Sequence, residues 1–135
     1  MGKKANPKIV AIAIIEEDGN ILIGKRKRGK RHVGNWEFPG GTVEKGETCE
    51  QCLIRELSEE FTVTAEVGDF ICSSEYQYAA DFTIRLSAYR ATILSGQFNL
   101  RDHDEVRWVN PTELRTYMVN GATQSILDKL YGIHL

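Results

Sequence analysis

Three glutamates, Glu56, Glu59 and Glu60, lie within five positions of one another in a chain of 135 residues. Residues three and four apart share one face of a helix, so like charges at this spacing repel unless something neutralises them. Clustered carboxylate oxygens are typical ligands of Mg²⁺ or Mn²⁺. The segment therefore predicts a metal site, and a solvated acidic helix face is the plain alternative.

A helix over residues 48–61 is predicted to carry these carboxylates. Thr48 and Gln51 have the spacing of a capping box, which marks a helix N-terminus. Bulky apolar residues recur on one side at helical spacing: Leu53, Ile54, Leu57 and Phe61. The glutamates fall on the opposite side, so the helix should separate a core face from a ligand face.

The remaining elements predict one α/β (α+β) domain over residues 1–135. The Asp18-Gly19 dipeptide indicates a hairpin turn between two apolar strands. Predicted strands cover residues 8–15, 20–24, 62–66, 69–77, 81–93 and 106–109, and further helices cover 111–117 and 121–131. The result is a mixed sheet with two or three helices.

Composition and charge exclude some classes of protein. The apolar stretch at residues 9–15 ends at Glu16 and Glu17, which favours a buried strand over a signal peptide or membrane span. We therefore expect a cytoplasmic protein without a membrane partner. The net charge of −2 argues against general nucleic-acid binding.

The cysteines Cys49, Cys52 and Cys72 do not form a secreted disulfide framework. Cys49 and Cys52 make a C-x-x-C pair, but a zinc site would need a second pair, which the sequence lacks. A redox motif at a helix N-terminus is the other alternative. We favour two small helix residues beside the core.

The segment from Gly41 to Val63 resembles the Nudix box, G-x5-E-x7-R-E-U-x-E-E-x-G-U, where U is a bulky apolar residue. Eight of its nine fixed positions match: Gly41, Glu47, Arg55, Glu56, Leu57, Glu59, Glu60 and Val63. The preceding WEFPGG at residues 36–41 is similar to the MutT-like branch of that family. One position departs, because Thr62 replaces a glycine that normally ends the helix with φ > 0.

The resemblance implies a Nudix-type mixed sheet sandwiched between helices and a Mg²⁺ cofactor, with Mn²⁺ as an alternative. By the same resemblance Glu56, Glu59 and Glu60 are metal ligands, and the backbone carbonyl of Gly40 or Gly41 adds another. Glu56 or Glu59 could instead deprotonate the attacking water. Arg55 is implied to pair with a carboxylate of the box, and Glu47 to fix the loop to the helix through Arg55.

A further acidic ligand is implied in the polar segment 101–105, which precedes Trp108-Val109; the candidates are Asp102 and Glu105. Substrate-binding candidates are more scattered: Arg26, Lys25, Phe38, Tyr76, Tyr78 and Asn120. Core packing for Phe38 and helix or turn capping for Asn120 are alternative interpretations.

The resemblance implies a MutT-like pyrophosphohydrolase that converts a nucleoside triphosphate, an oxidised purine or a (d)CTP-type pyrimidine, to a monophosphate and pyrophosphate. A dinucleoside polyphosphate or nucleotide-sugar hydrolase is an alternative, supported by Tyr76 and Tyr78. A non-enzymatic domain that binds nucleotide or a protein is another, favoured only by Thr62. The expected partner is a nucleotide, and the expected assembly is a monomer or a homodimer.

Overall fold

The computed structural model describes residues 7–26, 35–100, 103–117 and 121–132. Its strands are β1 (Lys8–Glu17), β2 (Asn20–Arg26), β3 (Trp36–Glu37), β4 (Gly40–Thr42), β5 (Thr64–Ala79), β6 (Phe82–Ser95) and β7 (His103–Val109). Its α-helices are α1 (Cys49–Phe61), α2 (Leu114–Tyr117) and α3 (Gly121–Tyr131), and a 3₁₀ turn at Pro111–Glu113 precedes α2.

The strands form a mixed sheet in the order β3-β2-β1-β6-β5, with β4 paired to β1 and β7 paired to β2. β1 runs parallel to β6, whereas the other pairs are antiparallel. The predicted hairpin turn is present, since Asp18 and Gly19 both have positive φ, 51° and 80°. This pattern confirms the mixed sheet expected from the sequence.

β1 is buried on both faces and supplies side chains to two cores. Ile12 and Ile14 belong to a core that includes Leu127 of α3. The alternate residues, including Ile15, belong to a second core that contains Leu57 of α1. Because successive strand side chains point to opposite faces, α1 and α3 cover the two sides of the sheet, as the resemblance implied.

Helix α1 begins at the predicted capping box. The Thr48 hydroxyl accepts from the Gln51 N–H at 3.1 Å, and the Gln51 side chain accepts from the Thr48 N–H at 2.9 Å. The predicted core face is wrong at one position: Ile54 is 47% exposed, whereas Cys52 is fully buried. The helix is rotated so that the Cys52 thiol faces β4, where it lies 3.5 Å from the carbonyls of Gly41 and Thr42.

Thr62 ends α1 in the left-handed conformation, with φ 60° and ψ 38°. Its N–H donates to the carbonyls of Leu57 and Ser58, so the chain keeps the geometry that the family's glycine would give. A β-branched residue is disfavoured in this conformation. The end of α1 therefore keeps the left-handed geometry although a strained residue replaces the glycine.

Two strand predictions need correction. The segments predicted at 62–66 and 69–77 form the single strand β5, because register shifts against β6 absorb the interruption around Gly68. Glu105, predicted to lie in a loop, lies in β7. Its backbone pairs with Lys25 of β2, which extends the strand back to His103.

Candidate active site

Arg55 lies at the centre of the acidic segment. Its Nε and Nη2 donate to the two carboxylate oxygens of Glu47 at 2.7 and 2.9 Å. Its Nη1 donates to Glu56 at 2.9 Å and to Glu59 at 3.3 Å. One guanidinium therefore neutralises the repulsion between carboxylates on α1 and ties the preceding loop to the helix.

The Arg55–Glu47 contact sets the charge state of this cluster. The hydrogen bond from Arg55 lowers the pKa of Glu47 to about 2, and the same bond raises the pKa of Arg55. Both groups are therefore charged at any physiological pH. Burial, with the nearby carboxylates Glu47 and Glu56, raises the pKa of the Cys52 thiol to about 12, so Cys52 is not a thiolate nucleophile.

The carboxylate of Glu56 lies directly against the backbone of Gly41. A Cβ atom on Gly41 would lie 2.5 Å from Glu56 Cδ, which is closer than real Cβ atoms approach. Gly40 is equally confined, since its Cβ would lie 2.0 Å from the Ala11 carbonyl oxygen of β1. Glycine at both positions lets the Gly40–Gly41 backbone approach the carboxylate of α1.

The other two glutamates differ in exposure. The Glu59 side chain is 57% exposed, whereas Glu60 is half-buried with its Oε2 shielded from solvent. Within residues 7–26, 35–100, 103–117 and 121–132, no three acidic, thiol or imidazole groups converge as a formed metal site. The donors available on α1 are nonetheless carboxylate oxygens, beside the backbone of Gly41, and this set suits a hard divalent cation.

A cleft of about 520 Å³ opens beside this segment, and both glycines of β4 line it. Three of the predicted substrate-binding residues, Arg26, Phe38 and Tyr78, also line the cleft. Phe38 is 4% exposed and belongs to a core as well, so its packing interpretation is compatible with a place in the wall. Gly41 thus lies against Glu56 of α1 and also lines the cleft that contains three of the candidate substrate contacts.

Other candidates lie beside the cleft or have other contacts. Tyr76 packs against Tyr78, with ring centroids 4.7 Å apart. Lys25 pairs with Trp36 and Glu105 in the sheet. The Glu105 carboxylate accepts a hydrogen bond from Arg107 Nε at 2.5 Å. Asp102 and Asn120 lie outside the described residues.

Sequence reasoning missed two parts of the site. Phe82, at the start of β6, lines the cleft and lies 6.1 Å from Tyr78 between ring centroids. Glu37 also lines the cleft and is hydrogen-bonded to Arg26 at 3.1 Å and to the buried His103 at 2.8 Å. Glu37 stands within WEFPGG, and that position was the available signal.

Comparisons with known proteins agree with this arrangement. Residues 5–130 match the model of the NUDIX domain family. The chain is 34% identical over 124 residues to the CTP pyrophosphohydrolase of Escherichia coli, covering 92% of this chain and 91% of the relative. It is 30% identical over 126 residues to the 8-oxo-dGTP diphosphatase of Haemophilus influenzae, covering 91% and 92%.

Solved structures show the same fold. The solution structure of the E. coli ORF135 protein superimposes with a TM-score of 0.81 at 32% identity, covering 95% of this chain and 91% of that one. The MutT NUDIX hydrolase from Burkholderia pseudomallei has a TM-score of 0.78 at 28% identity, covering 93% and 98%. The chain belongs to the Nudix family and is a hydrolase of its MutT-like branch. Nudix hydrolases generally use divalent metals.

Proposed function

We propose that this Nudix hydrolase is a nucleoside triphosphate pyrophosphohydrolase that hydrolyses its substrate to a monophosphate and pyrophosphate. One observation carries the proposal: Gly41 touches the Glu56 carboxylate and also lines the cleft. A phosphate chain in the cleft would therefore lie next to the acidic face of α1. The relatives named for CTP and for 8-oxo-dGTP support a pyrimidine or an oxidised purine triphosphate as substrate.

Glu56, Glu59 and Glu60, with a carbonyl of Gly40 or Gly41, would hold the divalent cation, which we propose to be Mg²⁺ with Mn²⁺ as a substitute. When bound, such a cation neutralises phosphate oxygens and favours deprotonation of water. The confined position of Glu56 against Gly41 supports this assignment, because it brings a carboxylate to the backbone beside the cleft.

The chain's own residues have separable tasks in this proposal. Either Glu56 or Glu59 accepts the proton of the attacking water. Arg55 contacts both carboxylates and fixes their orientation from its anchor on Glu47. Arg26, on the cleft wall, supplies a cation for the substrate.

Two aromatic residues of the cleft suit the nucleobase. Tyr78 and Phe82 line the cleft and are 41% and 42% exposed. Exposed aromatic faces favour stacking on a flat base. The Tyr76–Tyr78 contact keeps one alternative open, a dinucleoside polyphosphate hydrolase, in which the second aromatic ring would serve a second base.

The test is a substrate panel with product identification. Purified protein with Mg²⁺ is assayed against CTP, dCTP, 8-oxo-dGTP, a dinucleoside tetraphosphate, a nucleotide sugar and ADP-ribose. A monophosphate plus pyrophosphate from a triphosphate supports the proposal. Preferential cleavage of the dinucleoside compound or the nucleotide sugar would replace it with the corresponding alternative, and no turnover of any compound would contradict it.

The Glu59→Gln variant completes this test. Whichever role Glu59 has, its neutral variant should lose on the order of 100-fold in kcat while melting like the wild type. Glu66→Gln, at an exposed position of β5, is the matched control. Wild-type turnover in Glu59→Gln would exclude the acidic face as the site.

In the described residues, the structure has no helix long and apolar enough to span a membrane. Cytoplasmic location and the monomeric or homodimeric state stay predictions.

A further inference from the structure

His103 is a buried polar residue that the proposed chemistry does not use. Its side chain is 1% exposed, and its ring stacks on Phe61 of α1 with centroids 5.1 Å apart. On the other side the ring edge fills the space beside Gly24, where a Cβ atom would lie 2.8 Å from His103 Cδ2. The ring is therefore held in one place by α1 and β2 together.

A β-bulge aims His103 inward. Lys25 pairs with Glu105 but the next residue, Arg26, pairs with His103, so β7 has one extra residue at Asp104. Bulges of this kind redirect a side chain and often lie beside functional sites. The bulge thus turns the imidazole toward Glu37 of β3, which lines the cleft.

The buried imidazole ends in a chain of hydrogen bonds that leads to the cleft. His103 Nε2 lies 2.8 Å from Glu37 Oε1, and the same oxygen accepts from Arg26 Nη1 at 3.1 Å. A carboxylate can only accept, so Nε2 carries the proton in this contact. His103 Nδ1 is buried and has no hydrogen-bond partner among the described residues. Among the described residues, the polar contact of the ring is therefore the one that fixes Glu37.

We propose that His103 is a positioning residue for substrate binding, which holds Glu37 and through it orients Arg26 on the cleft wall. The inference rests on the proposed function, because it assigns Arg26 to the nucleotide. The stack on Phe61 makes the same imidazole a link between the C-terminal end of α1 and this wall. A residue that fixes the conformation of a substrate-binding arginine reduces the side-chain entropy that the arginine loses on binding.

Two substitutions at His103 separate positioning from packing. His103→Phe keeps the aromatic stack and removes the hydrogen bond to Glu37, and it should raise KM about tenfold while kcat changes less than twofold. His103→Gln retains an N–H donor and should recover most of the wild-type KM. The dissociation constant of a non-hydrolysable α,β-methylene triphosphate should follow KM, which gives a readout independent of turnover.

A double-mutant cycle with Arg26 provides the decisive comparison. If His103 acts through Arg26, His103→Phe added to Arg26→Ala should change KM by less than twofold beyond the single Arg26→Ala variant. Equal, multiplicative effects in both backgrounds, or a His103→Phe enzyme with wild-type KM, would overturn the inference. Neither result would affect the proposed function, which is tested separately by the products that the wild-type protein releases from the substrate panel.

The space around the ring is tight, so His103→Phe could fail to fold. Thermal melting identifies that outcome, and Glu37→Gln then carries the test from the exposed side of the same chain. Glu37→Gln keeps the side-chain shape but weakens the contacts to both His103 and Arg26. It should give the same rise in KM, and a Glu37→Gln enzyme with wild-type KM would refute the positioning role.

Discussion

At the scale of single residues, the site depends on glycine as much as on charge. Gly41 has no side chain, and this leaves the space that the Glu56 carboxylate occupies. Arg55 has the complementary role, since it contacts carboxylates that would otherwise repel one another. The positions of these two residues decide whether the glutamates can act together.

Gly41→Ala should therefore reduce activity strongly with little effect on folding elsewhere. The added methyl would displace Glu56, so we expect kcat to fall on the order of 10- to 100-fold and the Mg²⁺ concentration for half-maximal activity to rise. Gly68→Ala is the matched control, because its Cβ would meet the Arg90 carbonyl oxygen at an ordinary 3.6 Å. Equal kinetics for the two variants would contradict the idea that Gly41 leaves the space needed by the Glu56 carboxylate.

The dependence of the free energy of unfolding on acidic pH provides a second test at this scale. The pKa of Glu47 is about 2 when folded and about 4.5 in an ordinary environment, so its stabilising contact is complete above pH 4.5 and is lost as the pH falls toward 2. Glu47→Gln should remove this part of the acid dependence. Urea unfolding at several pH values measures it, and a wild-type profile in the variant would show that the contact with Arg55 does not contribute.

At the scale of elements, the junction between α1 and β5 is the unusual feature. Thr62 adopts the left-handed conformation, and its carbonyl oxygen lies where a Cβ on Gly96 would be only 2.6 Å away. The segment that follows β6 contacts the end of this helix, where the Asn99 N–H donates to the Phe61 carbonyl at 3.0 Å. This contact satisfies a carbonyl at the end of α1 and helps to hold Thr62 in its strained geometry.

Thr62→Gly should stabilise the protein. Relief of left-handed strain is worth about 1–2 kcal/mol, from which the greater freedom of glycine in the unfolded chain subtracts about 0.5–1 kcal/mol. We expect the melting temperature to rise by about 2–4 °C. Thr64→Gly, in the strand two residues on, should destabilise instead. A lower melting temperature for Thr62→Gly would mean that the threonine side chain makes a compensating contact.

Elements were predictable from the sequence where periodicity and caps agree. The capping box at Thr48 and the apolar face containing Leu57 locate α1 to within one residue. Strand pairing was less accessible, because the pairing of Glu105 with Lys25 joins positions distant in the chain. The register of the Nudix box follows from local spacing, whereas the contact of His103 with Glu37 depends on a bulge that no local pattern marks.

At the scale of the whole molecule, one strand separates two cores, and only one of them supports the acidic helix. Leu57 of α1 packs in the core on one face of the sheet, and Leu127 of α3 packs in the core on the other. Both side chains are completely buried. Stability should depend on both faces, whereas the position of the glutamates should depend on the α1 face.

Leu57→Ala and Leu127→Ala should each lower the free energy of unfolding by about 2–5 kcal/mol, because each leaves a cavity in a packed core. Only Leu57→Ala should also raise the Mg²⁺ concentration for half-maximal activity, since the cavity lets α1 move relative to β4. Denaturant unfolding and metal titration of the two variants give the comparison. A similar metal requirement in both would mean that the glutamates are positioned independently of the core behind them.

The bonds of Arg55 have a consequence for how the protein takes up a cation. Glu56 and Glu59 already have a cationic neighbour, so binding of the proposed cation would exchange one positive partner for another. The apparent affinity would be the difference between the two interactions. We expect a metal-free chain to keep its helix, because the guanidinium remains anchored on Glu47. Chelation should therefore switch the enzyme off reversibly without unfolding it, and activity should follow the supply of free divalent cation.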